Sequence, residues 1–188
     1  MDDFSYLSVL VSIVLGLGIA NLLTGLATLV RRRAQIKPWW PTPVWIVTLF
    51  LIHVQTWWSM FGMRRIDRWN FGAFLVVLMQ PVLLFVMTAL IVPKFSEGRG
   101  ALDMRADYFR ESRWFFAVLI IALADSLSKD LVLSGRLTAA PNLAAHFVFI
   151  AVAAIGMAWQ NDRVHKVLAP AALALLVGYI ALLFTTLS

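Results

Sequence analysis

The segment Trp114–Asp130 reads WFFAVLIIALADSLSKD, and its character changes part-way along. The first ten residues are apolar, whereas the last seven contain Asp125, Lys129 and Asp130. A membrane-spanning helix needs about 20 predominantly apolar residues, because the hydrocarbon core has no water to solvate charged groups. The segment therefore predicts a membrane span that has to shield three charged side chains from lipid.

The composition of the whole chain is that of an integral membrane protein. Of its 188 residues, 61% are hydrophobic and 14% are charged, which is more apolar than a soluble domain needs to fill one core. The chain has no cysteine, which excludes disulfides, thiolate metal sites and cysteine nucleophiles. Basic loops on the cytoplasmic side of a membrane explain the formal charge of +6, so no nucleic-acid partner is expected.

Six apolar runs have the length of membrane spans. They are Phe4–Val30, Pro43–Gly62, Phe71–Val92, Trp114–Leu133, Asn142–Trp159 and Val167–Leu187. Basic residues or prolines bound these runs, and tryptophans lie near several of their ends, as is typical of membrane interfaces. The sequence thus predicts an all-α, polytopic protein over residues 1–188, a single domain built as a bundle of about six transmembrane helices.

Lysine and arginine are distributed unevenly between the two sets of loops. Loops 31–37, 93–113 and 160–166 carry eleven of them, and the loops on the other side carry four. Because basic loops stay in the cytoplasm, both termini are predicted on the non-cytoplasmic side, and any homo-oligomer is predicted to be parallel. The general appearance is that of a small bacterial inner-membrane protein. Loop 93–113 is interpreted as a solvated connector, with a short interfacial helix over 101–113 as the alternative.

Polar residues inside the predicted spans separate by depth, at 1.5 Å per helical residue. The deep set is Asn21, His53, Gln80 and Asp125, and the shallower set is Lys129, Asp130 and His146. Charged groups inside a membrane usually face a bundle interior or a wet cavity and mark a pathway or a site. We interpret the seven residues as a proton-handling or cation-handling route, in which Asp125 titrates and His53 is its relay or partner.

Two interpretations of Asp125 stay open. Asp125 and Lys129 are four residues apart, a spacing that favours an intrahelical ion pair and leaves Asp130 pointing about 100° away. In the functional interpretation, Asp125 is accessible to water and handles protons. In the structural one, the hydrocarbon part of the span ends near Ser128, Lys129 extends to the interface, and Asp125 serves helix association. For Asp130 the structural interpretation is preferred.

The first span carries a small side chain at every fourth position. This seam consists of Ser8, Ser12, Gly16, Ala20, Thr24 and Thr28. Such a seam allows another helix to approach closely, because helix association in lipid depends on packing and interhelical hydrogen bonds. The partner is either another span of the same chain or the same helix of a second protomer, and the sequence does not decide between them.

The stretch KPWWPTPVW, from Lys37 to Trp45, resembles the first-loop pattern K-P-x-W-x-P-P of the translocator-protein family of tryptophan-rich membrane sensors. The resemblance stops at these residues. That family has five spans where this sequence predicts six, so its ligand-binding function is not transferred.

The functional prediction is a small channel or transporter that moves protons, small cations or a proton-coupled small solute. A weak alignment of the two halves, from Val9 and from Val118, is of the kind seen in the 3+3 inverted repeats of transporters. No metal-ligand spacing, nucleotide-binding glycine motif or serine-nucleophile motif occurs, so no enzyme activity, cofactor or metal site is predicted. The alternative is a non-transporting accessory or assembly protein that packs against other membrane proteins. The expected partners are the lipid bilayer and further copies of the chain.

Overall fold

The computed structural model of the chain describes residues 3–66, 69–95 and 101–183. Six α-helices account for most of this part: α1 (Asp3–Arg31), α2 (Pro41–Ser59), α3 (Phe71–Ile91), α4 (Met104–Ser134), α5 (Ala140–Ala158) and α6 (Asp162–Leu183). A 3₁₀ helix, Met60–Arg65, extends α2, and a shorter one covers Arg33–Gln35. Residues 184–187 of the predicted sixth span, and Arg68 and Arg99 of the loop count, lie outside the described residues.

Five of these helices are long and apolar enough to cross a membrane: α1, α2 with its extension to Arg64, α3, α5 and α6. At this level the structure supports the prediction of a helical membrane protein. The longest helix, α4, has 31 residues but is not among the five, because Asp125, Lys129 and Asp130 interrupt its apolar stretch. The exact number of spans and the inverted repeat stay predictions.

The helices are arranged as a ring. Its order is α2, α1, α3, α4, α5 and α6, with α6 returning to α2, and α2 also touches α3. Helices that follow one another in the chain run in opposite directions. We call the end that holds the last residues of α1, α3 and α5 and the first residues of α2, α4 and α6 the basic end, and the other the opposite end.

Polar contacts tie the connections together at the basic end. The two-residue strands β1 (Ile36–Lys37) and β2 (Leu102–Asp103) pair in parallel and join the connections that follow α1 and α3. The indole Nε1 of Trp39 donates to Oδ1 of Asp162 over 3.0 Å, and Arg105 forms an ion pair with the same oxygen at 2.8 Å. The starts of α2, α4 and α6 are thereby held against one another.

The first turns of α4 pack onto this end. Met104, Tyr108 and Ser112 are spaced four residues apart, and all three are buried. The Tyr108 hydroxyl lies 2.8 Å from Nδ1 of His165, whose Nε2 lies 3.1 Å from the carbonyl oxygen of Trp159. Because a carbonyl only accepts, Nε2 carries the hydrogen and the Tyr108 hydroxyl donates to Nδ1. Burial raises the pKa of Tyr108 well above its usual range, which keeps this donor protonated.

The prediction of a solvated connector over residues 93–113 is wrong for 104–113, which are the first turns of α4. The side chain of Asp103 begins this helix by accepting from the backbone N–H of Ala106 over 2.9 Å. The arginines of the stretch, Arg105, Arg110 and Arg113, are exposed, while Met104, Tyr108 and Ser112 are buried at the basic end.

Four helices meet at a buried group of rings nearer the middle of the bundle. This aromatic cluster consists of Trp45, Phe115, Phe116 and His165. The ring centroid of Trp45 lies 5.3 Å from that of Phe115 and 5.4 Å from that of Phe116, both edge-on. Gly156 of α5 lies against Phe116 so closely that a Cβ at this position would be 2.5 Å from Cζ of the ring. The cluster therefore joins α2, α4, α5 and α6.

Helix α1 packs through a face other than the small-residue seam. Its buried residues are Val11, Leu15, Gly18, Leu22, Gly25 and Leu29. Gly16, Ala20 and Thr24, at the centre of the seam, are exposed on the outside of the bundle. Within this chain the centre of the seam does not join α1 to the other helices, and a helix of a second protomer as its partner stays a prediction.

The contact between Gly18 and His53 can be tested by adding a methyl group. A Cβ at position 18 would lie 2.3 Å from Nε2 of His53, a fully buried side chain. We expect Gly18→Ala to lower the free energy of unfolding by roughly 1–3 kcal/mol, the usual cost of overpacking, and to lower the thermal unfolding temperature in detergent. Gly178→Ala, in α6, is the matched control, because nothing lies within 4 Å of a Cβ built at this position. Equal destabilisation by both changes would contradict this helix packing.

Candidate functional site

A cavity of about 430 Å³ lies inside the ring, between α2, α3, α4, α5 and α6. It reaches the opposite end of the bundle, where Gly62 and Ser134 are among its walls and are exposed. At its inner limit it meets Trp45, a member of the aromatic cluster. The phenylalanines of that cluster are fully buried, so the cluster closes the cavity towards the basic end. The lining contributed by the described residues thus extends from Trp45 to the opposite end.

Helix α4 supplies the charged groups of the cavity. Lys129 and Asp130 lie three and four residues after Ser126, so each of them neighbours Ser126 on the helix surface. Lys129 and Asp130 are consecutive, so their side chains leave the helix about 100° apart. The other four helices contribute the polar groups of Gln55, Gln80, Asn142, His146 and Tyr179.

The ammonium group of Lys129 is buried and its side chain reaches across to a neighbouring helix. The residue is only 9% exposed, and Nζ donates to Oε1 of Gln80 on α3. Among the described residues, no carboxylate lies within 4 Å of Nζ. The intrahelical ion pair expected between Asp125 and Lys129 therefore does not form, because Lys129 is directed towards Gln80.

Asp125 lies one turn before Lys129 and is not among the residues that line the cavity. It is half-buried, and its Oδ2 has no hydrogen-bond partner in the part of the chain that the structure describes. Buried polar atoms normally have such a partner, because losing water without compensation is costly. An oxygen of this kind is a candidate site for a proton.

His53 is a packing residue between α2 and α1. Its Nδ1 lies 2.7 Å from the carbonyl oxygen of Leu49, and its Nε2, which faces Gly18, has no hydrogen-bond partner among the described residues. Asp125 is on α4, which packs between α3 and α5. The structure shows no hydrogen bond between His53 and Asp125, since neither Nε2 of His53 nor Oδ2 of Asp125 has a partner among the described residues.

His146 joins α5 to α4 at the cavity wall. Its Nδ1 lies 2.8 Å from the carbonyl oxygen of Asn142, and its Nε2 lies 3.1 Å from Oγ of Ser126. Facing a carbonyl, Nδ1 carries the hydrogen, and in the neutral ring Nε2 then accepts from the serine hydroxyl. The Tyr179 hydroxyl donates to Oδ1 of Asn142 over 2.7 Å and connects α6 to the same wall. This wall is polar and fixed by hydrogen bonds.

Asn21, the remaining deep residue, is outside the cavity. Its side-chain amide donates to Oγ1 of Thr88 over 2.9 Å, which joins α1 to α3. The structure thus gathers four of the seven predicted residues around one cavity and leaves the other three outside it. Those at the cavity are Gln80, Lys129, Asp130 and His146, and those outside it are Asn21, His53 and Asp125.

Several polar groups of the cavity were not predicted from the sequence. Asn142 is the first residue of its predicted span, where polar side chains are ordinary, and the aromatic ring of Tyr179 does not stand out within an apolar run, so a ranking of polar residues by depth passes over both. A better signal is the face of each helix. Thr48, Ile52 and Gln55 are spaced by four and three residues, and all three line the cavity.

Comparison with protein-family models, with curated proteins and with solved structures finds no match for this chain. The resemblance of Lys37–Trp45 to the translocator-protein pattern therefore rests on those residues alone. The chemistry of the cavity has to be argued from its own side chains.

A double-mutant cycle tests the contact between Gln80 and Lys129. Gln80→Leu removes the partner of a buried ammonium, so we expect it to lower the free energy of unfolding in detergent by about 1–3 kcal/mol. In a Lys129→Met background, Gln80→Leu should lower the free energy of unfolding much less, because the buried ammonium that Gln80 contacts is no longer present. The coupling between the two changes should be about 1 kcal/mol or more.

Gln35→Leu makes the same substitution at an exposed position of the basic end and should change stability little. Strictly additive effects of the changes at positions 80 and 129 would contradict the described contact.

Proposed function

We propose that the protein is a small transporter, in which a solute occupies the cavity and its movement is coupled to a proton at Asp125. The observation that carries the proposal is the buried ammonium of Lys129 in the cavity wall. Charged groups that face a cavity within a membrane bundle mark substrate or ion pathways. A volume of about 430 Å³ is also within the range of small-molecule sites, roughly 300–1,000 Å³.

The proposed coupling acts through α4. Asp125 and Lys129 are one helical turn apart, so the charge of the carboxyl group alters the electrostatic potential at the ammonium. In surroundings of low dielectric constant, such an interaction is stronger than in water. Uptake of a proton by Asp125 would then change the affinity of the cavity for a charged solute. His53 has no part in this route, because it faces α1.

A carrier is favoured over a proton or cation channel. The aromatic cluster ends the cavity towards the basic end, and a channel needs a path that is continuous across the membrane. A carrier exposes its site to the two sides in turn. The cavity facing the opposite end then corresponds to one of its two states.

We place the protein in a bacterial inner membrane, with both termini and the mouth of the cavity on the non-cytoplasmic side. The excess of basic residues at the other end of the bundle supports this orientation. A parallel homo-oligomer that uses the seam of α1 also belongs to the proposal. The outward position of that seam equally favours the second candidate function, an accessory protein that packs against other membrane proteins.

Proton movement in proteoliposomes tests the transport proposal. Vesicles with an entrapped pH-sensitive dye and an imposed potential receive, in separate trials, a mixture of amino acids, of carboxylates or of sugars. We expect one mixture to cause proton flux above that of protein-free vesicles, and Asp125→Asn to abolish it, because a carboxamide does not take up a proton in this pH range.

Asp3→Asn makes the same change at an exposed residue at the start of α1 and should leave the flux unchanged. If no mixture causes flux in the wild type, the accessory function is favoured. If the wild type passes protons without any solute, the protein is a proton channel and not a carrier.

The absence of cysteine makes the orientation measurable with single cysteines. Leu137→Cys lies in the connection between α4 and α5 at the opposite end, Gln35→Cys lies at the basic end, and both positions are exposed. We expect a membrane-impermeant maleimide to modify the Leu137→Cys variant in intact cells, and the Gln35→Cys variant only after permeabilisation. The reverse pattern would contradict the proposed orientation.

A further inference from the structure

The charged groups of the cavity point to the class of the solute. We infer that it is a zwitterion with an apolar body, that is, a molecule with one carboxylate and one ammonium group such as an α-amino acid with an apolar side chain. This inference rests on the proposed role of the cavity as a solute site and adds the chemical class of the solute to it.

Among the described residues, neither of the two charges that line the cavity, Lys129 and Asp130, is neutralised by a direct ion pair. Because their side chains leave α4 about 100° apart, they border the same space from two directions and do not neutralise each other at contact. The contact of Nζ with the amide oxygen of Gln80 satisfies one hydrogen of the ammonium and no charge.

A ligand that carries one negative and one positive group would compensate the charges of both Lys129 and Asp130. A simple organic anion would pair with Lys129 but would bring its charge close to Asp130, and a simple amine would have the converse problem. A buried charge is costly unless it is paired and hydrogen-bonded. In its neutral form, the neighbouring His146 makes both of its ring hydrogen bonds and adds no charge to the cavity wall, and Asp125 lies outside the lining of the cavity. A zwitterion pairs with both groups and leaves the net charge of the cavity unchanged.

The inner part of the cavity fits an apolar body. Beyond the charged residues, its walls include Trp45, Leu84, Leu119, Phe149 and Leu176. A water molecule occupies about 30 Å³ in the liquid, so a cavity of about 430 Å³ holds about 14 groups of that size. An amino acid the size of leucine or phenylalanine is within this limit. Its charged end would lie against Lys129 and Asp130, and its side chain would point towards Trp45.

Ligand binding to the purified wild-type protein in detergent tests the inference directly. The probes are tritiated L-phenylalanine and L-leucine, measured by scintillation proximity. The competitors are 3-phenylpropionate, which lacks the ammonium group, and 2-phenylethylamine, which lacks the carboxylate. We expect the amino acids to bind saturably and each truncated analogue to compete at least tenfold more weakly, since each loses one charge-assisted contact. Equal competition by either analogue, or no binding of either amino acid, would overturn the inference.

Two charge-removing variants locate the site. Lys129→Gln and Asp130→Asn should each weaken amino-acid binding at least tenfold. The matched controls Lys94→Gln and Asp3→Asn change exposed residues outside the cavity and should leave binding unchanged. If Lys129→Gln does not fold, Asp130→Asn still tests the location of the site. This variant is expected to fold, because Asp130 is only half-buried. Wild-type affinity in a folded Asp130→Asn variant would overturn the inference.

Binding in detergent needs neither a membrane nor a gradient, so it separates the ligand class from transport. Amino-acid binding without any flux in proteoliposomes would support the inferred ligand class and overturn the transport proposal. Flux with the carboxylate or sugar mixture, together with no amino-acid binding, would overturn the ligand class and support transport.

Discussion

The buried ammonium of Lys129 is the constraint on which the arrangement of the bundle depends. On insertion scales, a lysine at the centre of a membrane helix costs about 2.5–3.5 kcal/mol, so this side chain needs a polar contact and a route to water. Gln80 provides the contact from α3, and the cavity provides the route to the opposite end. Helix α4 alone offers neither. The position of the cavity, beside α4 and within a ring of other helices, follows from this requirement.

The same constraint explains why α4 differs from the other five helices. Its charges exclude it from the helices that are apolar enough to cross a membrane alone, yet α3 and α5 pack against it on two sides. Its exposed side chains include Trp114, Ile121 and Val132, which are apolar. In its second half the helix therefore turns Lys129 towards the bundle and apolar side chains such as Ile121 and Val132 outwards. A helix of this kind is stable in lipid only as part of an assembly, because the neighbouring helices cover its charges.

The sequence predicts those features of the fold that are set by residues close together in the chain. Helix ends are local, since Arg31 closes an apolar run and Pro41 opens the next helix, and the six helices follow from such features. The lateral order of helices is not local, because no apolar run specifies that α1 lies beside α3 or α2 beside α6. Depth alone pairs His53 with Asp125, whereas in the structure Nε2 of His53 faces Gly18 of α1 and forms no hydrogen bond with Asp125. The pairing of β1 with β2 joins residues that are far apart in the chain, so no short sequence pattern predicts it.

The closed end of the cavity limits how the bundle can act. The rings of the aromatic cluster are in contact, and Gly156 fits against Phe116 without space for a methyl group, so the bundle is tightly packed at this point. The exposed contacts of Asp162 at the basic end are individually weak, as ion pairs in water usually are. The tightly packed cluster is therefore the main barrier between the cavity and the basic end. If the protein is a transporter, these rings have to separate before a solute can cross to the basic end. Binding of a solute from the opposite end does not require them to move.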